Sequence, residues 1–135
     1  MSDRIAIFID GGYLDKVTEE LGFFLDMKKF VNKIVNNRAF LRAYYYHCLP
    51  YQSNPPTSDE RTRYAKKSRF FDFLKRLDRV EVRLGTLLKR DSTFVQKSAD
   101  ILLAVDLVRL STQSRIGTAY LVAGDSDFVP AVQTA

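Results

Sequence analysis

The sequence predicts an α/β fold, a mostly parallel central sheet sandwiched between helices. Three observations predict it. Runs such as Ile5-Ala6-Ile7-Phe8-Ile9 are continuously apolar and β-branched, as in strands covered on both faces. Stretches of helical periodicity stand between these runs, and strands that alternate with helices build parallel sheets. Aspartates follow the strand-like runs, at the edge where open parallel sheets bind their ligands.

Taken in order, Ile5 to Ile9 reads as the first strand and stops at Asp10-Gly11-Gly12, where the glycines permit a tight turn. Tyr13 to Leu21 reads as a helix that Gly22 closes. Asp26 caps a second helix, in which Met27, Phe30, Val31 and Ile34 recur at helical spacing. Arg38 to Arg42 leads into Ala43-Tyr44-Tyr45-Tyr46, an aromatic strand. Pro50 to Asp59, with Ser53, Asn54, Pro55 and Pro56, is expected to be a mobile loop. A long helix follows from about Ser58 to Leu77, with Tyr64, Phe70, Phe71 (or Phe73) and Leu74 on its buried side. Val80 to Leu84 is a third strand that Thr86 to Leu88 extends past Gly85. Ser98 caps the next helix, whose apolar stripe reads Ile101, Leu102, Val105 and Val108. Ala119 to Val122 is a fourth strand ending at Gly124-Asp125, and Ser126 onward turns into a helix. The chain stops at Ala135, about two turns into that helix, where a doubly wound domain would continue to another strand. A C-terminally truncated domain is therefore part of the expectation.

A length of 135 residues suits one domain over 1–135, with one core and one site. The longest apolar runs are far too short to span a bilayer, so no membrane partner is expected. Met1-Ser2-Asp3-Arg4 leads directly into a strand, unlike a secretory signal. Cys48 is the single cysteine, which excludes an intrachain disulfide and a cysteine zinc cluster and makes a reducing, cytoplasmic setting the expectation. A net charge of +5 fits an anionic partner, and its distribution says more than its sum. Acidic residues stand at strand ends and helix starts, while Lys and Arg crowd the middle of the chain.

Asp10 follows the first strand, and Asp125 and Asp127 follow the fourth. Asp100 opens the preceding helix at the same edge. Each alone is a common strand end or helix cap. Together they would repel one another unless a hard cation neutralised them, and Mg²⁺ or Mn²⁺ with oxygen ligands meets that need. Asp106 lies six residues beyond Asp100, roughly 120° round a helix from it, and reads as a site-rim group or a salt-bridge partner. His47, the single histidine, reads as a structural residue or a rim residue near a strand end.

Three blocks carry a family resemblance. Ile7-Phe8-Ile9-Asp10-Gly11-Gly12-Tyr13, then Lys97-Ser98-Ala99-Asp100 with Asp106 downstream, then Ala123-Gly124-Asp125-Ser126-Asp127-Phe128 resemble the signature blocks of the NYN domain, in the LabA-like branch of the PIN-like ribonuclease superfamily. The likeness extends over residues 4–132. It implies a PIN-like three-layer α/β/α fold and a metal-dependent endoribonuclease acting on RNA, with a homodimer admitted. Asp10, Asp100, Asp125 and Asp127 would take the metal-binding and catalytic roles. Lys97 matches a Lys-x-x-Asp pattern and would contact the substrate phosphate; Asp106, Gly11, Tyr13 and Ser126 would support the site. Tyr13 departs from the pattern, because many members carry Asn shortly after the first Asp-Gly.

Arg61, Arg63, Lys66, Lys67, Arg69, Lys75, Arg76 and Arg79 crowd one stretch. It reads either as the solvated face of a helix or as a phosphate-tracking surface, with Tyr51 and Tyr64 to stack bases. Arg63 and Lys67 in that stretch, with Lys89 and Arg90 ahead of Asp100, are candidate substrate contacts. Two other functions compete with the nuclease. One is a non-catalytic PIN-like module that binds RNA or protein; an intact aspartate set favours the enzyme over it. The other is an Asp-based phosphatase or phosphotransferase, which needs a second Asp two residues after the nucleophile, and Asp10-Gly11-Gly12 lacks it.

Overall fold

The computed structural model describes residues 3–85, 88–90, 93–95, 97–113, 115–124 and 132–133. The chain runs β1 (Ile5–Asp10), α1 (Gly11–Leu21), α2 (Met27–Val35), β2 (Phe40–Cys48), α3 (Ser58–Lys75), β3 (Val80–Gly85), β4 (Leu88–Arg90), β5 (Thr93–Val95), α4 (Lys97–Thr112) and β6 (Thr118–Val122). Among the described residues four strands form one sheet in the order β3-β2-β1-β6, every pair parallel.

The sheet is covered on both faces, which explains why β1 carries no polar alternation. Ala6 and Phe8 face Tyr44, Tyr46 and Cys48 of β2 and pack under Ala99, Leu103, Leu107 and Leu110 of α4. Ile5, Ile7 and Ile9 turn the other way, with Ala43 and Tyr45, beneath Met27 and Val31 of α2 and Phe71 and Leu74 of α3. Leu14 of α1 packs on that same side. The result is a three-layer α/β/α arrangement with α1, α2 and α3 on one face and α4 on the other.

This layering fixes where the chain opens. From β1 the strands step through β2 to β3 with helices on one face; from β3 the chain crosses under α4 to β6, on the far side of β1. Helices change face where strand order reverses, as right-handed crossovers require. The reversal falls between β1 and β6, and the crevice beyond the carboxyl ends of such a pair is where open α/β sheets bind ligands.

Local chemistry sets the helix ends. The Asp10 carboxylate caps α1 by accepting from the Tyr13 amide at 3.2 Å, and Gly22, at φ 70°, closes the helix in the left-handed region. Asp26 caps α2 in the same way, accepting from the Lys29 amide at 3.1 Å. A capping box joins Thr57 and Glu60 at the start of α3. The Glu60 carboxylate also accepts from the Ser53 amide and hydroxyl, at 3.1 and 2.9 Å, so the loop expected to be mobile is anchored midway.

Three expectations change. The apolar stripe of α4 is rotated: Ile101 and Val105 are 61% and 55% exposed, while Ala99, Leu103, Asp106, Leu107 and Leu110 face the sheet. On α3, Phe71 and Leu74 are buried as expected, but Phe70 and Phe73 are exposed. Leu88 does not prolong β3; it opens β4, which pairs antiparallel with β5 as a separate hairpin. Two boundaries also move by a residue or two, since α1 starts at Gly11 and α4 at Lys97, placing Ser98 inside the first turn. Among the described residues no helix is long and apolar enough to cross a membrane.

Candidate functional site

Asp10 is the last residue of β1 and lies in register with Tyr46 of β2. Its position depends on Gly11. A β-carbon there would come within 2.5 Å of the Tyr45 ring and 2.6 Å of the His47 ring. Both rings are buried and hemmed in, so only glycine lets α1 start this close over β2. At the end of β6 the same argument applies to Gly124, where a β-carbon would collide with the Tyr13 ring. The contact between Tyr13 and Gly124 draws the end of β6 to the start of α1, on the two sides of the strand-order reversal. Tyr13 thus fills a packing role against Gly124.

Asp100 lies in the first turn of α4, half-buried like Asp10. Cys48, the last residue of β2, links the two. Burial pushes its thiol pKa up, hydrogen bonds from the Gly85 and Ala99 backbone oppose that shift, and the charges of Asp100 and Asp10 add to it. Cys48 ends β2 beside β1 and packs in one cluster with Ala99 of the first turn of α4, which brings the helix start that carries Asp100 to the edge where β1 ends at Asp10. These are oxygen donors with no sulfur or imidazole among them, the donor set that Mg²⁺ or Mn²⁺ prefers. Among the described residues no group of three or more His, Cys, Asp or Glu is gathered for a metal. Asp125, Ser126 and Asp127, which follow Gly124, lie outside the described residues, as do the side chains of Lys89, Arg90 and Lys97. The backbones of Lys89 and Arg90 run in β4, and that of Lys97 begins α4.

Asp106 does different work. It is 2% exposed and accepts from the Tyr46 hydroxyl at 2.7 Å, from Arg83 Nη1 at 2.7 and 2.9 Å, and from Arg109 at 3.4 Å. This network ties α4 to β2 and β3 and sets the rotation of α4 over the sheet. Of the two roles open to Asp106, the structure gives the salt bridge. Burial, then the bond to Asp106, raises the Tyr46 phenol well above its usual range and keeps it a donor.

A second cluster lies one turn along α1 from Asp10, and sequence reasoning missed it. The Cys48 amide donates to His47 Nδ1 at 2.8 Å, so the ring proton sits on Nε2, which donates to Asp15 Oδ2 at 2.8 Å. Lys67 Nζ bonds the same oxygen. Burial works to raise the Asp15 carboxyl, yet the hydrogen bonds from His47 and Lys67 prevail and bring it below its ordinary value. The cluster joins α1, β2 and α3 beside the acidic edge. Its members are 32 and 52 positions apart, and the one signal in the sequence was a lone histidine near a strand end. Lys67, a candidate substrate contact, is thus partnered by Asp15, whereas Arg63 and Lys66 on the same helix face make no ion pair among the described residues.

Compared with known protein families, the chain matches the NYN domain over residues 4–135. No curated protein and no solved structure gives a match.

Proposed function

Because the chain belongs to the NYN domain family, we propose that it is a metal-dependent endoribonuclease of the LabA-like branch, hydrolysing RNA phosphodiester bonds at the acidic edge of its sheet. NYN domains belong to the PIN-like nuclease superfamily, are generally nucleases and act on RNA, and PIN-like nuclease domains typically use divalent metals. The observation that carries the proposal is the placement of Asp10 and Asp100, from β1 and α4, on one edge at the reversal of strand order.

In this proposal Asp10 and Asp100, joined by Asp125 and Asp127, hold Mg²⁺ or Mn²⁺. The bound cation supplies charge neutralisation at the phosphoryl group and a lowered pKa for an attacking water. The remaining work belongs to the chain. Gly11 and Tyr13 set the start of α1 so that Asp10 faces the crevice. Asp106 acts at a distance, holding α4 and with it Asp100. Lys97 contacts the substrate phosphate, and Lys89, Arg90 and Arg63 extend the cationic surface that meets the RNA backbone, while Lys67 stays paired with Asp15 at the edge of that surface. No histidine or cysteine nucleophile is needed, in keeping with a His47 committed to Asp15 and a buried Cys48. The same proposal treats 1–135 as one domain working in a reducing, cytoplasmic setting, with a homodimer admitted. A non-catalytic RNA- or protein-binding module is the alternative reading.

Incubation with labelled single-stranded and structured RNA in Mn²⁺, with and without chelator, tests the proposal. The wild type cuts, chelator stops it, and Asp10→Asn abolishes it. Absence of chelator-sensitive cleavage in the wild type, or full activity in Asp10→Asn, would overturn catalysis and leave the binding module.

A further inference from the structure

A groove of about 680 Å³ lies between α1, the turn at residues 22–25 and α3, with Tyr45 at its base. One face of α3 lines it, presenting Arg63, Lys66, Lys67 and Phe70 at spacings of three, four and seven residues. Phe23 and Phe24 rim the opposite side, and Phe24 is fully exposed. Phe70 is held edge-on by Tyr45, with ring centroids 6.2 Å apart at 79°, and Lys67 Nζ stands 5.5 Å from its ring centre. It is a fixed aromatic face at the surface rather than a swinging side chain.

The charges in the groove are not equivalent. Asp15 and Lys67 are spent on each other and on His47. Glu19 is an exposed carboxylate on the α1 rim. Arg63 and Lys66 are exposed, and neither has an ion-pair partner among the described residues. Two available cations beside exposed aromatic rings match the chemistry of single-stranded nucleic acid, whose bases stack while its phosphates track positive charge. The position agrees. Asp15, which lines the groove, lies five residues after Asp10, about 7.5 Å along α1, so the groove is within reach of a strand of a few nucleotides held at the acidic edge.

We infer that this groove is the strand-holding site for single-stranded RNA, with bases stacked on Phe24 and Phe70 and phosphates at Arg63 and Lys66. The inference deepens the proposed function and rests on RNA being the substrate. It also replaces Tyr51 and Tyr64, the stacking residues expected from the sequence, with rings that line the groove.

Fluorescence anisotropy of a labelled single-stranded RNA, in chelator so that nothing is cut, tests it. Phe24→Ala removes a ring with no buried contact and leaves the thermal unfolding curve unchanged, while RNA affinity falls about tenfold, the typical loss for one stacked base. Phe70→Ala falls by a similar factor, and the double variant R63E/K66E weakens binding further and flattens its salt dependence. Cleavage in Mn²⁺ is run beside the binding. A wild type that binds and cuts RNA, with Phe24→Ala and R63E/K66E binding as tightly as the wild type, overturns the groove and leaves the nuclease standing. A wild type that neither binds nor cuts RNA overturns both. A Phe24→Ala that shifts the protein from dimer to monomer on size exclusion, with RNA affinity unchanged, gives the groove to a second copy and also overturns the inference.

Discussion

Asp100 and Asp106 sit on one helix and one motif, yet the structure assigns them different work, and a pair of substitutions separates the two. Asp106→Ala leaves the buried Tyr46 hydroxyl and the Arg83 guanidinium without their acceptor. Breaking a buried ion pair by removing one partner costs about 3–5 kcal/mol. Arg83 is 33% exposed and recovers some hydration, which lowers the expectation to roughly 2–4 kcal/mol. Against a typical stability of about 5–15 kcal/mol and a urea slope of about 1–3 kcal/mol/M, the unfolding midpoint falls by roughly 1–2 M. Asp100→Ala removes a half-buried carboxylate from the first turn of a helix, where the dipole and partly hydrated contacts are worth about 0.3–1 kcal/mol each, so its midpoint falls less than that of Asp106→Ala. Urea titration followed by far-ultraviolet circular dichroism reads both, and Tyr46→Phe in the Asp106→Ala background adds little because its partner is already gone. A loss under about 1 kcal/mol for Asp106→Ala, or an equal loss for Asp100→Ala, would refute the division of labour between them.

Other substitutions test the framework around the site. Gly11→Ala drives a methyl into the Tyr45 and His47 rings and should cost about 1–3 kcal/mol by overpacking, read as a lower midpoint in the same titration. Thr57→Ala removes half of the capping box of α3 and should cost about 1 kcal/mol, visible as a lower melting temperature. The Asp15 carboxyl lies below its ordinary value in the fold, so its contribution is complete above its unfolded value and is lost as pH falls through the lower folded one. The stability gap between wild type and Asp15→Asn should therefore narrow as pH falls through and below the ordinary carboxyl range; a gap that widens on acidification would contradict the sign.

Much of the fold was legible because local signals and tertiary demands coincide in the first half of the chain. β1 is apolar throughout since both faces are covered, and Asp10, Gly22 and Asp26 mark helix ends with the residue types that caps require. The rotation of α4 was not legible. Ile101, Leu102, Leu103, Val105, Leu107 and Val108 are apolar nearly all round, so periodicity cannot choose a face; the choice is made by Asp106 reaching Tyr46 and Arg83. The β4–β5 hairpin was not legible because its strands, Leu88–Arg90 and Thr93–Val95, are three residues each, too short for an alternating pattern to show. At the site, Asp10 ends β1 and Asp100 lies in the first turn of α4, positions readable from the apolar runs beside them, whereas the Asp15–His47–Lys67 cluster depends on three elements meeting and has no local pattern.

The proposed nuclease needs Asp10 and Asp100 to hold a divalent cation jointly. Counting free Mn²⁺ by electron paramagnetic resonance as protein is added tests it directly, with wild type, Asp10→Asn and Asp100→Asn compared over one concentration range. If the two aspartates do, the wild type depletes free Mn²⁺ over the range that drives cleavage, and each substitution abolishes the depletion while leaving the circular dichroism spectrum intact. Undiminished Mn²⁺ binding in both variants would contradict it.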